Sequence, residues 1–250
     1  MGKKKKREEL EEELKENPPL LCGEKLKVSS QGTYLGDELG LTVSESASLT
    51  INKRVGLVKK AIFEIKFIIE DCRSKVIGAI NTGMMIWESC IIPFLLNNCS
   101  TWLEIRQSDV DKLVKLQNLF LSSLLGIQNC PAVMMYGDLC VLTIPHRILK
   151  EKLILYHHIS TLPEQALAHR ILDTQERHQL RGLSQEVRPF LSRHQVIDVK
   201  SFSKIAWKDF DKHNMSNENR DFLIQWSEKY KKVDSLSLAC EDYSSKQVEI

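Results

Sequence analysis

Between residues 50 and 80, apolar side chains recur at alternating intervals of four and three residues. This spacing places them all on one side of an α-helix. The pattern therefore predicts a single helix of about eight turns with one continuous buried face. The apolar residues of this face are Ile51, Val55, Val58, Ile62, Ile65, Ile69, Cys72 and Val76.

Five further segments have helical patterns, and three of them carry a helix-specific residue. Pro93 predicts a bend in a segment that is apolar almost all round. Gly126 predicts the end of one helix, and Pro145 predicts the first turn of another. The predicted helices span residues 84–97, 108–125, 145–160, 164–180 and 216–232.

Two short apolar runs near the N-terminus, residues 20–27 and 33–39, are separated by glycines at positions 23, 32 and 36. Short runs divided by glycine are typical of a hairpin or a meander and not of a large sheet. The fold class predicted from the whole pattern is mainly α, a multi-helix bundle with a small N-terminal β-hairpin.

Composition and hydropathy indicate the cellular compartment of the protein. Its 250 residues are 42% hydrophobic and 27% charged, which is ordinary for a globular protein. Seven widely spaced cysteines favour reduced thiols over a disulfide framework. We see neither a secretory signal nor an apolar stretch of the roughly 20 residues that cross a bilayer. These features predict an intracellular protein, nuclear or cytoplasmic, that does not contact membranes.

The basic run from Lys3 to Arg7 has two interpretations. It could act as a nuclear-localisation patch, or it could be one end of a charged helix, because an acidic run follows it immediately. The net charge of the whole chain is only +2, so overall charge gives no argument for binding nucleic acid. Any such argument depends on where the charges lie.

Positive charge is concentrated on the predicted 50–80 helix, outside its apolar face. Seven basic residues and three acidic ones lie between positions 50 and 76. A row of lysines and arginines on a rigid element can follow a phosphate backbone without reading its sequence. A solvated helix face is the alternative interpretation. The residues predicted to contact a nucleic-acid backbone are Lys53, Lys59, Lys60, Lys66 and Arg73.

An ordered series of short motifs resembles a known family over residues 20 to about 170. The motifs are Cys22-Gly23-Glu24-Lys25, Thr33-Tyr34-Leu35-Gly36-Asp37, Lys53-Arg54, Met85-Ile86-Trp87-Glu88-Ser89-Cys90-Ile91-Ile92-Pro93, Thr101-Trp102, Leu116-Gln117-Asn118 and Leu142-x-Ile144-Pro145. Together they resemble the segment that follows the catalytic palm in reverse transcriptases of non-LTR retrotransposons.

The resemblance implies a role for each part of the chain. Tyr34, Leu35 and Gly36 would match the primer-grip hairpin, and the bundle would be the thumb that holds the template–primer duplex. The expected divisions are a charged N-terminal helix (1–19), a primer-grip-like hairpin and linker (20–46), a thumb-like helical region (47–180), a C-terminal helical segment (181–235) and a flexible tail (236–250).

Catalysis is not expected of this chain alone, although the parent family consists of RNA-directed DNA polymerases. Phosphoryl transfer by two metal ions needs clustered carboxylates, and the chain contains no Asp-Asp pair. Asp37 and Glu38 are adjacent, so on a strand they point to opposite faces, and we interpret them as a solvated hairpin end. No metal, cofactor or small-molecule substrate is predicted.

The function expected from these patterns is that of a reverse transcriptase fragment without its catalytic palm. Its partner would be an RNA/DNA duplex, bound without sequence preference. The alternative is a domesticated or decayed helical interaction protein with no nucleic-acid function. The sequence predicts no oligomeric state.

Other candidate residues lie on the later helices. Lys152, His157 and His158 are predicted on the outer side of the 145–160 helix, where the two histidines could contact nucleic acid or simply face solvent. Trp87 and Trp102 lie in apolar surroundings, which predicts core positions.

Overall fold

The computed structural model describes most of the central part of the chain. The predicted helix 216–232, the charged segment 1–19 and the C-terminal tail lie outside the described residues. These residues are 20–21, 24–25, 32–34, 36–40, 42–71, 76–127, 131–139, 141–196 and 199.

Two short antiparallel strand pairs precede the helices. Strand β1 (Leu20–Leu21) pairs with β2 (Glu24–Lys25), and β3 (Gly32–Tyr34) pairs with β4 (Asp37–Leu39). The chain reverses between β3 and β4 through Gly36, whose φ of 87° lies in the left-handed region that glycine adopts without steric cost. The predicted glycine-turn hairpin is confirmed.

A mainly helical bundle follows, as predicted. Its first helix, α1 (Val43–Asp71), begins seven residues before the predicted start. Ile51, Val55, Val58 and Ile62 of the predicted apolar face are buried and Ile65 is partly buried, while the side chains of Ile69, Cys72 and Val76 lie outside the described part. Val76, predicted as the last residue of this face, begins the next helix. The remaining helices are α2 (Val76–Ile86), α3 (Ile92–Leu95), α4 (Gln107–Leu125), α5 (Ala132–Asp138), α6 (Ile144–Ser160), α7 (Leu167–Arg177) and α8 (Leu183–Arg193).

A π-helical turn, Trp87–Ile91, connects α2 directly to α3. Its position explains how Pro93 fits within the apolar segment. A proline lacks the N–H that an α-helix needs and its ring crowds the carbonyl four residues earlier. The wider π turn lies immediately before Pro93, so the chain stays helical while local geometry changes.

Helix α4 ends as its sequence predicts. Gly126 adopts a φ of 67°, and its N–H donates to the carbonyl oxygen of Ser122.

Within α4, the buried Gln117 fixes the segment before α6. Its Nε2 donates to the carbonyl oxygen of Leu142 at 2.9 Å, and its Oε1 accepts from the N–H of Ile144 at 3.1 Å. Both ends of this buried amide are therefore satisfied, as a polar core residue requires.

Apolar residues form two buried clusters. The larger one lies between α1, the α2–α3 segment, α4, α5 and the start of α6. At its centre the rings of Trp87 and Phe120 stack with centroids 4.6 Å apart. The smaller cluster packs Leu153 of α6 against α8 residues such as Val187 and Phe190. Helix α6 contributes to both clusters and so joins them.

The stack at the centre of the larger cluster predicts that replacing Phe120 destabilises the protein more than replacing the exposed Phe94. Phe120→Ala would leave a cavity and should lower the free energy of unfolding by about 3–5 kcal/mol. Phe94→Ala removes the same atoms from a side chain that is 47% exposed and should cost far less. Chemical denaturation of both variants measures the difference, and equal losses would contradict the packing described.

Candidate nucleic-acid interface

Arg54 of α1 is the central side chain of the region where the hairpin meets the bundle. It is 4% exposed, and its guanidinium donates to Asp37 Oδ1 at 2.5 Å and to the carbonyl oxygen of Asn97 at 2.5 Å. The guanidinium carbon also lies 5.4 Å from the centre of the Trp102 ring. Arg54 therefore connects the hairpin, α1 and the segment after α3 through one buried charge.

Burial sets the electrostatics of this side chain. Loss of solvation lowers the pKa of Arg54, and the nearby Asp37 carboxylate acts in the opposite direction. An arginine starts from so high a pKa that it stays charged at neutral pH. The buried cation therefore requires its carboxylate and carbonyl partners.

The interpretation of Asp37 and Glu38 as a solvated hairpin end was wrong. Both are half-buried against α1 because each has a basic partner there: Asp37 pairs with Arg54, and Glu38 pairs with Lys53. The hydrogen bond from Lys53, together with one from Thr33, lowers the pKa of Glu38. The two carboxylates do point to different partners, so they do not converge on one site.

Backbone contacts complete the attachment of the hairpin. The N–H of Glu38 donates to Thr50 Oγ1 at 2.8 Å, and the N–H of Gly40 donates to Ser46 Oγ at 2.8 Å. Asn98 adds a bond from its Nδ2 to Asp37 Oδ2 at 3.0 Å. Strand β4 is consequently held on the first turns of α1 by both charge and hydrogen bonds.

A groove of about 460 Å³ lies between the hairpin, the start of α1 and the 3₁₀ turn Cys99–Thr101. Its walls include Leu39, Ala47 and Trp102. The indole Nε1–H of Trp102 is buried and has no acceptor within the described part of the chain. Tyr34 lies at the groove and is 65% exposed.

The residues matched to a primer grip lie at this groove only in part. Tyr34 lines it, and Gly36 forms the exposed turn between the strands. Leu35 lies outside the described residues. The structure therefore places one predicted primer-grip side chain, Tyr34, beside the start of α1.

The residues predicted to contact a nucleic-acid backbone differ in their surroundings. Lys59 and Lys60 are exposed on α1, and neither forms an ion pair with any residue that the structure describes. Lys53 is also exposed, but its Nζ is engaged by Glu38. Lys66 lies within α1, with its side chain outside the described part, and Arg73 lies outside it entirely.

Helical geometry groups these lysines. Residues seven apart lie almost above one another, about 10 Å apart along the axis. Lys60 therefore follows Lys53 on one side of α1, and Lys59 follows Asn52 on a neighbouring side. Lys112 of α4 lies beside this surface, where it donates to Asn52 Oδ1 at 2.7 Å and pairs with Asp109 at 2.6 Å, so this cation, like Lys53, already has a carboxylate partner.

The predicted outer position of two α6 residues was wrong. Lys152 and His157 are both buried, at 5% exposure, while His158 is exposed as expected. Lys152 is buried because its Nζ pairs with Glu186 of α8, and Glu186 also accepts from the N–H of Glu104 at 2.7 Å. This ion pair fastens α8 to α6, so Lys152 is not available to nucleic acid.

Sequence reasoning named Arg54 only within the Lys53-Arg54 motif and did not predict its burial, although a signal for burial was present. Position 54 follows the apolar Ile51 by three residues and precedes Val58 by four, which places it on the buried side of α1. A charge at such a position predicts a buried partner. That partner is Asp37, and only the fold brings Asp37 and Arg54 together.

Two structural findings bear on other classes of site. Among the described residues, no three His, Cys, Asp or Glu side chains come together as a metal site would require. Nor does any described helix combine the length and apolar character needed to cross a membrane.

Comparison with known proteins gave no relatives. A scan of protein-family models and searches of curated proteins and of solved structures found no match to this chain.

The burial of Arg54 predicts that the hairpin depends on it. Arg54→Ala would leave Asp37 without its cation and would remove the donor to the carbonyl oxygens of Leu95 and Asn97. This should cost about 3 kcal/mol of unfolding free energy. Amide exchange at Glu38, whose N–H is bonded to Thr50, should accelerate as the hairpin detaches.

Lys53→Ala provides the matched control for this experiment. It removes a cation that also pairs with a hairpin carboxylate, but one whose side chain is 50% exposed. Solvent screening should make its effect on stability small. Equal losses in the two variants, or unchanged exchange at Glu38 in Arg54→Ala, would show that the buried charge does not hold the hairpin.

Proposed function

We propose that this chain is the post-palm and thumb region of a non-LTR retrotransposon reverse transcriptase. Its own activity would be weak, sequence-independent binding of RNA–DNA duplex through the phosphate backbone. The observation that carries this proposal is the exposed pair Lys59 and Lys60 on α1, free of carboxylate partners within the described residues.

Rigidity supports this assignment. Helix α1 is 29 residues long, so it forms a rod of roughly 40 Å. Cations on a packed helix keep a fixed spacing, and phosphate contacts made by such a row position a duplex without reading its bases. The resemblance to a thumb assigns this role to the same helix.

The hairpin supports the proposal by its position. Its ion pairs with Arg54 and Lys53 hold Tyr34 close to the start of α1. A duplex lying along Lys59 and Lys60 would thus meet the hairpin at one end of the helix. In the related polymerases, the matching hairpin would hold the end of the primer.

A second candidate function has one observation in its favour. Leu57 and Phe63 are 47% and 62% exposed on the same helix as the lysines. Exposed apolar side chains on an otherwise packed helix could contact another protein. This is the helical interaction protein that the sequence left open as the alternative.

Salt dependence tests duplex binding. Because Lys53 is engaged by Glu38, we expect two or three phosphate contacts and a slope of log affinity against log salt of roughly −2 to −3. The double variant Lys59→Glu, Lys60→Glu should lose most of this slope while keeping its helix content. Titration of a labelled RNA–DNA duplex at several salt concentrations measures the effect.

The control is a second double variant with the same charge change. Arg170→Glu, Arg181→Glu reverses two exposed cations in the later part of the chain, away from α1. It should bind duplex nearly as well as the wild type. Equal losses in both variants would indicate non-local charge effects, and no wild-type binding at low salt would favour the interaction protein.

The absence of an Asp-Asp pair generates a separate prediction about catalysis. Purified protein given primer–template, Mg²⁺ or Mn²⁺ and deoxynucleotides should extend no primer above background, because two-metal phosphoryl transfer needs clustered carboxylates. Template-dependent extension that is abolished by Asp37→Ala would contradict the proposal.

A further inference from the structure

Helix α7 has apolar side chains on two sides, of which only one faces the bundle. His169 and Leu172 are buried, whereas Leu167 and Ile171 are 71% and 49% exposed. A helix turns by about 100° per residue, which places Leu167 and Ile171 next to each other on the side away from His169 and Leu172. Two neighbouring exposed apolar residues form a strip that another apolar surface can cover.

Leu180 extends this strip past the end of α7. Gln175 lies one helical turn after Ile171, and its carbonyl oxygen accepts from the N–H of Leu180 at 2.9 Å. Leu180 is 48% exposed and lies at a groove of about 410 Å³ against α8. We call Leu167, Ile171 and Leu180 the outer strip of α7.

The chain itself contains a segment with a matching apolar row. In the predicted helix 216–232, Phe222, Trp226 and Tyr230 follow one another at intervals of four residues, the interval that also separates the first two residues of the outer strip. Such rows pack together when the ridges of one helix fill the grooves of another. A helix of this length is only marginally stable alone in water, so its apolar side needs a partner. The segment lies outside the described residues.

Charge favours one orientation of this segment on α7. The acidic Glu164 precedes α7, and the basic Arg181 follows it. The predicted helix likewise has Glu218 near its start and Lys231 and Lys232 at its end. An antiparallel arrangement therefore places each acidic end beside a basic one.

The described part of the chain ends close enough for this segment to reach α7. Val199 is buried in the smaller cluster with residues of α6 and α8, and α7 packs against both of these helices. The residues between Val199 and the predicted helix can span roughly 50 Å when extended. The length of the connection is therefore sufficient.

We propose that residues 216–232 form an amphipathic helix that covers the outer strip of α7 and runs antiparallel to it. Phe222, Trp226 and Tyr230 contact the strip. The occupant is thus the C-terminal part of the same chain and not a separate partner. The contact goes beyond the proposed duplex binding and does not depend on it, because it involves none of the α1 lysines.

Amide exchange in the full chain tests this contact. Amides of residues 216–232 should exchange roughly ten- to a hundredfold more slowly in the full chain than in a synthetic peptide of the same residues. The double variant Leu167→Gln, Ile171→Gln should lose most of this protection, because glutamine keeps the helix propensity and removes the apolar contact. Exchange in α8 should stay unchanged, which verifies that the bundle remains folded.

Matched controls come from α1 and from the segment itself. The double variant Leu57→Gln, Phe63→Gln makes a comparable change at two exposed residues of α1 and should leave the protection intact. Within the segment, Trp226→Ala should remove most of the protection. Ile224→Ala lies on the other side of the predicted helix and should retain it.

Several outcomes would overturn the proposal. Exchange of residues 216–232 in the wild type as fast as in the peptide would show that the segment does not dock. Protection that survives the α7 double variant, or that is lost equally in the α1 double variant, would show that the outer strip is not the docking surface. Protection that rises with protein concentration, together with a dimeric mass in light scattering, would make the occupant a segment of a second copy.

Discussion

The buried guanidinium of Arg54 is the interaction on which the arrangement of the N-terminal half depends. A charge removed from water is tolerated only when hydrogen bonds and an opposite charge replace its solvation. Asp37, the carbonyl groups of Leu95 and Asn97 at the end of α3 and just beyond it, and the Trp102 ring meet that requirement. These groups come from separate parts of the chain. Their contacts with the one guanidinium therefore fix the positions of the hairpin, α1 and the segment around the end of α3 relative to one another.

The same contacts decide which cations remain for a partner. Arg54 and Lys53 neutralise the two hairpin carboxylates, while Lys59 and Lys60 continue along α1 without such partners within the described part. The surface is thus divided along the helix. Near the hairpin it is electrically balanced and borders an apolar groove, whereas farther along it is positive. This division is the reason that the proposed phosphate contacts involve Lys59 and Lys60 and not the cations beside the hairpin.

A comparable arrangement fastens the later helices. Glu186 of α8 accepts from the buried Lys152 of α6 and from the backbone of Glu104. Helix α6 in turn contributes apolar residues to both buried clusters. In both halves, then, ion pairs combined with backbone contacts specify how elements meet, and apolar packing supplies most of the buried area. Directional bonds add a unique geometry that non-directional apolar contact lacks.

The sequence by itself determined the elements and their inner faces. The alternating apolar spacing predicted α1 and its buried residues, Gly126 and Pro145 marked helix ends, and Gly36 marked the hairpin turn, because each is a consequence of local backbone geometry. The π turn before Pro93 and the burial of Lys152 were not predictable in the same way. The candidate site was predicted as a set of basic residues on one helix, together with the hairpin residues that the resemblance implied. Tertiary structure decided which lysines form ion pairs with carboxylates. It also decided that Asp37 pairs with Arg54. An ion pair between residues distant in the chain depends on how strands and helices pack, and local spacing carries no information about that packing.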